Sequence, residues 1–68
     1  MDLDIFNKQV RRFLKKVGIQ SQREIEQAVH QGIKSGLLSE DDKLHVEVLL
    51  RVPAAGVEVI IGDEITLG

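Results

Sequence analysis

The sequence predicts an α+β domain in which two helices of antiparallel type precede a long β-hairpin. Apolar residues recur at helical spacing up to about residue 35, and they alternate with polar residues at a period of two from residue 43 onward. These patterns place helices at about 4–17 and 22–35 and strands at about 43–52 and 57–67. With 68 residues, the chain is long enough for a single domain, 1–68.

The first predicted helix has one apolar stripe, which we expect to face inward. The members of the stripe are Leu3, Phe6, Val10, Phe13, Leu14 and Val17. Acidic residues precede it and Lys15 and Lys16 lie near its end, as the helix dipole favours. Gly18 is predicted to end this helix, since glycine readily takes the left-handed conformation that follows a last turn.

The second predicted helix begins at a capping box. Ser21 and Glu24 have the spacing at which a serine hydroxyl and a glutamate carboxylate each accept from the other's backbone N–H. Ala28, Gly32 and Gly36 follow at intervals of four on the inner face, and Gly36 is predicted to end the helix. We expect the helix pair to pack on the apolar face of the hairpin.

The hairpin register follows from matching residues across the strands. Pairing Val52 with Val57 places Arg51 opposite Glu58 and Leu49 opposite Ile60, which are an opposite-charge pair and an apolar pair. The alternative is a tight turn at Gly62 and Asp63 that leads into a short third strand at 64–67. We favour the long hairpin.

A two-stranded hairpin is marginally stable alone, and its edges invite pairing. Its outer face carries Leu49 and Ile60, so the sequence predicts a homodimer that joins two sheets, with one-sided burial against the helices as the rival. The function expected from this architecture is a small non-enzymatic, self-associating interaction module with an unidentified protein partner.

Charge is distributed unevenly along the chain. Residues 1–38 carry a net charge of +3 and residues 39–68 carry −5. The alternative function is therefore nucleic-acid binding by a helix-turn-helix-like pair around Gly18. Its predicted contacts are Lys8, Arg11, Arg12, Lys15, Lys16, Gln22, Arg23, Gln27 and His30. The net charge of −2 argues against it, because nucleic-acid-binding domains are usually basic.

No residue pattern predicts catalysis, a cofactor or a metal site. The chain has no cysteine, and its histidines, His30 and His45, fall on different elements. The serines have no histidine at a telling spacing, and Ser21 is already explained as a cap. We therefore expect the protein not to be an enzyme. No apolar run approaches the length of a membrane span, and the acidic start is unlike a secretory signal, so we expect a cytoplasmic protein with no membrane partner.

The first two thirds of the chain resembles a family of small bacterial proteins of unknown function. The resemblance rests on Phe6-Asn7, Val10-Arg11, the run from Phe13 to Gly18, and the run from Ser21 to Glu26. It implies an uncharacterised bacterial cytoplasmic protein, and it supplies no activity, cofactor or catalytic residue.

Overall fold

The computed structural model describes every residue from Met1 to Gly68 as one long helix followed by a two-stranded antiparallel sheet. Helix α1 is Leu3–Lys34, strand β1 is Lys43–Val52 and strand β2 is Val57–Thr66. A short 3-10 turn, Pro53–Ala55, joins the two strands. The chain forms two compact units, Met1–Leu37 with the helix and Leu38–Gly68 with the hairpin.

Helix α1 begins at a side-chain cap that the sequence analysis did not assign. Asp2 has an extended backbone, and its carboxylate accepts from the N–H groups of Asp4 (3.0 Å) and Ile5 (3.2 Å). These N–H groups have no partner within the helix, so the cap satisfies them. The negative charge of Asp2 also lies at the positive end of the helix dipole.

The prediction of two helices is wrong, because α1 continues through Gly18 and Ser21 without a break. A glycine inside a helix costs about 1 kcal/mol relative to alanine. A break would instead leave the backbone groups of two new helix ends in need of partners. No proline lies between Leu3 and Lys34, so no residue there removes a helical N–H.

The two apolar stripes predicted separately are parts of one stripe. Val17, Ser21, Ile25 and Val29 follow each other at intervals of four, and all four are half-buried. Residues four apart are neighbours on a helix, so the stripe is continuous, but each step of four turns it by about 40° and it winds around α1 towards Val29. Ser21 is therefore a small residue within this stripe, and the helix pair expected to pack on the hairpin does not exist.

The end of α1 agrees with the prediction. The Ser35 N–H donates to Gln31 O (2.9 Å), and the Gly36 N–H donates to Ile33 O (3.2 Å). Gly36 has φ +81°, in the left-handed region that glycine enters without a steric cost. Lys34 places a positive charge in the last turn, where the dipole favours it.

The predicted hairpin register is confirmed over the whole sheet. Val52 pairs with Val57, Arg51 with Glu58, and Leu49 with Ile60, and the pairing runs on to Lys43 and Thr66. The alternative third strand at 64–67 does not form, since β2 passes through residues 62 and 63 without a turn. Beyond the strands, the Leu67 N–H donates to Asp42 O at 2.9 Å.

Gly62 has a packing role in β2. A Cβ atom at this position would lie 3.2 Å from Cε1 of His45, so the imidazole ring covers the glycine from the neighbouring strand. Such a cross-strand ring shields a stretch of backbone that has no side chain of its own. Because β2 pairs with β1 without a break, Asp63 lies opposite Val46. The rest of this face of the sheet is apolar.

The burial pattern differs between the strands. Residues in β1 alternate between exposed and half-buried, whereas all ten residues of β2 are exposed. No hydrophobic side chain in the chain is fully buried. The apolar surface that normally stabilises a domain is thus largely open to solvent.

Candidate interaction surfaces

The two residues predicted to mediate self-association are direct cross-strand neighbours. Leu49 and Ile60 are paired in the register, and their exposed fractions are 54% and 64%. They form an apolar patch in the middle of the outer face of the hairpin, defined here as the face that carries His45, Leu49 and Ile60. An isolated exposed leucine needs no explanation, but paired apolar residues on an open sheet face favour a partner surface.

Pairs of polar side chains flank this apolar patch. Arg51 Nε lies 3.9 Å from Glu58 Oε1 on one side, and His45 Nε2 lies 3.8 Å from Glu47 Oε2 on the other. All four side chains are more than half exposed, so these pairs contribute little to stability. An apolar centre with a polar rim is the usual arrangement of a protein–protein interface.

Strand β2 adds a feature that the sequence analysis did not single out. The sheet has only two strands, so β2 pairs with β1 on one side and has a free edge on the other. Val59 and Ile61 are exposed on one face of this strand and Ile60 on the opposite face. The signal was present as three consecutive β-branched residues, which favour an extended strand with apolar side chains on both faces.

The basic residues of the helical unit lie along the side of α1 opposite the apolar stripe. Lys8, Arg12 and Lys16 follow at intervals of four, and Arg23 lies near this line two turns further on. Part of this side, from Arg12 to Arg23, forms a shallow open groove of about 390 Å³ on the surface of the helix. The groove is lined by Arg12, Lys15, Lys16, Ile19, Gln20 and Arg23.

The helix-turn-helix interpretation is wrong because the predicted turn lies inside α1. Arg23, Gln27 and His30, which were expected on a second helix, continue along the same helix as Lys8 and Arg12. A single straight helix does not set a recognition helix at an angle to a supporting one. Nothing in this geometry favours nucleic acid over another anion.

Few side chains of the types that bind metals or act in catalysis lie close to one another. The His-x-Glu pair of His45 and Glu47 is present, and no group of three His, Asp or Glu side chains could hold a metal ion. The Ser35 hydroxyl donates to the main-chain carbonyl of Gly32 at 3.2 Å. Asp42 accepts from the Ser39 N–H at 2.8 Å, which orders the acidic loop before β1.

Helix α1 is long, but neither it nor any other helix has the apolar content needed to cross a bilayer. In the first half of α1 the apolar stripe covers one side, and the opposite side carries basic residues.

A family model matches the chain over its whole length, residues 1–68, and its description is "Family of unknown function (DUF6494)". The chain belongs to this family. The match confirms the predicted resemblance to an uncharacterised family, and it assigns DUF6494 no activity, ligand or site residue. No curated protein and no solved structure matches this DUF6494 chain.

Proposed function

We propose that the chain is a non-enzymatic interaction module that associates with a second copy of itself through β2 and the outer face of the hairpin. The observation that carries the proposal is that all ten residues of β2, a strand with a free edge and apolar residues on both faces, are exposed. An exposed, flat, apolar edge strand is a ready template for pairing with another strand.

The β2 strand of a second copy would supply hydrogen-bond partners for the free edge of β2. Its backbone N–H and C=O groups would pair with those of the first copy, and the two hairpins would become one four-stranded antiparallel sheet. Three or more strands with an apolar face are stable where a lone hairpin is marginal. The outer-face patch of Leu49 and Ile60 would then be continuous with the same patch of the second copy.

A register centred on Ile60 matches apolar residues across the two copies and opposes no like charges. With Ile60 on the twofold axis, Ile60 faces Ile60 of the second copy and Val59 faces Ile61 of the second copy. Glu58 then faces Gly62 of the second copy, so no like charges are opposed. Moving the axis to Ile61 would place Glu58 against Glu64 of the second copy, and directly opposed like charges destabilise a sheet.

A cysteine cross-link tests this register, since the chain contains no cysteine of its own. Ile60→Cys should give a disulfide-linked dimer on mild oxidation, because directly opposed Cα atoms lie about 4.5–5.5 Å apart, within disulfide range. Glu58→Cys is the matched control. Its counterpart would lie four residues further along the second strand, about 13 Å away, so it should not cross-link. Equal cross-linking of both variants would contradict the register.

The mass of the protein in solution tests the interface itself. Ile60→Lys places two lysines against each other on the twofold axis, and light scattering coupled to size exclusion should show a smaller species than the unmodified chain at the same micromolar concentration. Ile19→Lys adds the same charge to α1, outside the hairpin, and should leave the hairpin interface intact. An unmodified chain that is monomeric across this range would refute self-association.

We propose that the protein is cytoplasmic, since a chain without cysteine needs no oxidising environment to form disulfides. Fractionation of cells that produce the protein at its natural level tests this assignment. Recovery in any fraction other than the cytosol would contradict it.

A further inference from the structure

We infer that the first half of α1 is a second self-association surface, in which an apolar stripe pairs with the same stripe of another copy. This stripe, called the heptad stripe, consists of Leu3, Phe6, Val10, Phe13, Leu14 and Val17. The inference concerns a surface separate from the hairpin and does not depend on the proposed hairpin interface.

Five of the six side chains in the heptad stripe are exposed, and the sixth, Val17, is half-buried. Both phenylalanines were expected to face inward, but Phe6 and Phe13 are 50% and 52% exposed, and Leu3 is 62% exposed. From Val17 onward, the residues on this side are half-buried at each step of four. Large apolar side chains are therefore open to solvent along the first four turns of the helix.

The spacing within the heptad stripe is the one by which helices pack on each other. Leu3, Phe6, Val10, Phe13 and Val17 are separated by three, four, three and four residues. This alternation keeps a seam of side chains facing a neighbouring helix, with each side chain filling a gap between those of the partner. From Val17 onward the intervals are all four, so the seam drifts around the helix and the heptad pattern ends at Val17.

The charges around the heptad stripe suit a second copy. The positions that flank the seam hold Asn7, Gln9 and Leu14, with Lys16 as the only charge among them. Lys8, Arg11, Arg12 and Lys15 lie on the outward side, away from the seam. Two copies can therefore pack stripe to stripe without placing like charges against each other at the contact.

The area of the heptad stripe meets the lower limit of a specific interface. Leu3, Phe6, Val10, Phe13 and Leu14 are each between 38% and 62% exposed. Large side chains have about 200 Å² of surface, so these five offer about 500 Å² per copy and about 1,000 Å² over two copies. Specific interfaces between proteins begin at about 1,000 Å² in total. The stripe thus suffices for a dimer of modest affinity.

The test compares two double variants of the full chain. Phe6→Gln with Phe13→Gln removes both aromatic side chains from the heptad stripe and leaves helix propensity almost unchanged. Ile5→Gln with Ile19→Gln is the matched control, since Ile5 and Ile19 are also about half exposed but lie on the basic side with Arg12. Sedimentation equilibrium and far-UV circular dichroism are measured for both and for the unmodified chain.

We expect the dissociation constant for association through α1 to rise about a hundredfold in the phenylalanine variant and to stay unchanged in the control. Equal association of the two variants would overturn the inference. Ile60→Lys reports on the hairpin separately, so each surface can fail alone. If both surfaces operate, the variant with both phenylalanines replaced by glutamine and the Ile60→Lys variant should each form dimers only. The unmodified chain should form larger assemblies.

A conservative variant distinguishes a loss of association from a loss of folding. Phe6→Leu with Phe13→Leu keeps apolar side chains in the seam and should associate within about tenfold of the unmodified chain. If the leucine variant keeps its helix but dissociates like the glutamine variant, general packing of the stripe is not the cause and the inference is wrong.

Discussion

Ser21 and Glu24 have the sequence of a capping box, yet both lie inside a continuous helix, while Asp2 provides the cap. A serine that is not a cap is a weaker helix former than alanine, and a true cap loses stability when it is removed. We therefore expect Ser21→Ala to raise the free energy of unfolding by about 0.5 kcal/mol. Asp2→Ala should lower it by about 1 kcal/mol. Urea unfolding followed by circular dichroism at one fixed concentration measures both, and a loss of stability in Ser21→Ala would indicate a helix start there.

Gly18 allows a second test of the continuous helix. A Cβ atom at this position would meet nothing within 4 Å, so alanine fits without a clash. Gly18→Ala should raise the free energy of unfolding by about 0.5–1 kcal/mol, because alanine loses less backbone freedom in a helix.

The matched control for this test is Gly36→Ala, where φ is +81° and a side chain is strained. It should lower the free energy of unfolding by about 1–2 kcal/mol. Thermal unfolding of the two variants separates the cases, and destabilisation of both would mean that the chain turns at Gly18.

At the scale of the elements, the cross-strand pair of Arg51 and Glu58 anchors the hairpin register. Its side chains are more than 60% exposed and the Nε–Oε1 distance is 3.9 Å, so its coupling should amount to about 0.2–1 kcal/mol. Arg51→Glu should destabilise the hairpin by placing like charges opposite each other, and adding Glu58→Arg should restore stability. A double-mutant cycle in urea gives the coupling energy, and zero coupling at low salt would argue against this pairing.

The hairpin could be predicted from the sequence because several local signals agree. The period of two, the four-residue turn and the match of Arg51 to Glu58 all require the same register, and a shift of one residue would move every side chain to the other face. The end of α1 at Gly36 was predictable for a similar reason, since positive φ is rare in other residues.

The number of helices could not be predicted, because the decision at Gly18 rests on a small energy difference. Glycine is a common stop and also a tolerated interior residue, and a capping-box pattern is short enough to occur inside a helix. The decisive feature is the stripe that runs through Ser21 at intervals of four, which becomes visible only when a polar serine is accepted on the apolar side.

The candidate surface was predicted in part. Leu49 and Ile60 were identified as an outer pair because the register alone places them together. The free edge of β2 and the exposure of Phe6 and Phe13 were missed, because a pattern of apolar residues indicates which side chains share a face but not whether that face is covered.

At the scale of the whole molecule, the charge distribution predicts how association responds to salt. Residues 1–38 carry +3 and residues 39–68 carry −5, and both proposed interfaces bring like units together. Raising the salt concentration from about 50 mM to about 500 mM shortens the screening distance from about 14 Å to about 4 Å and should tighten association. Sedimentation across this range measures the effect. Weaker association in high salt would instead indicate pairing of a helix with a hairpin from another copy.

The connectivity of the chain has a consequence for how it reaches its native state. Every backbone hydrogen bond of α1 and of the hairpin joins residues that are close in sequence or linked by one short turn. Helices form in about 0.1–1 μs and hairpins in about 1–10 μs, whereas ribosomes add about 5–20 residues per second. The helix can thus be complete before the hairpin has been synthesised. Association through the proposed interfaces would then be a separate bimolecular step, so stopped-flow refolding should show a phase whose rate rises in proportion to protein concentration.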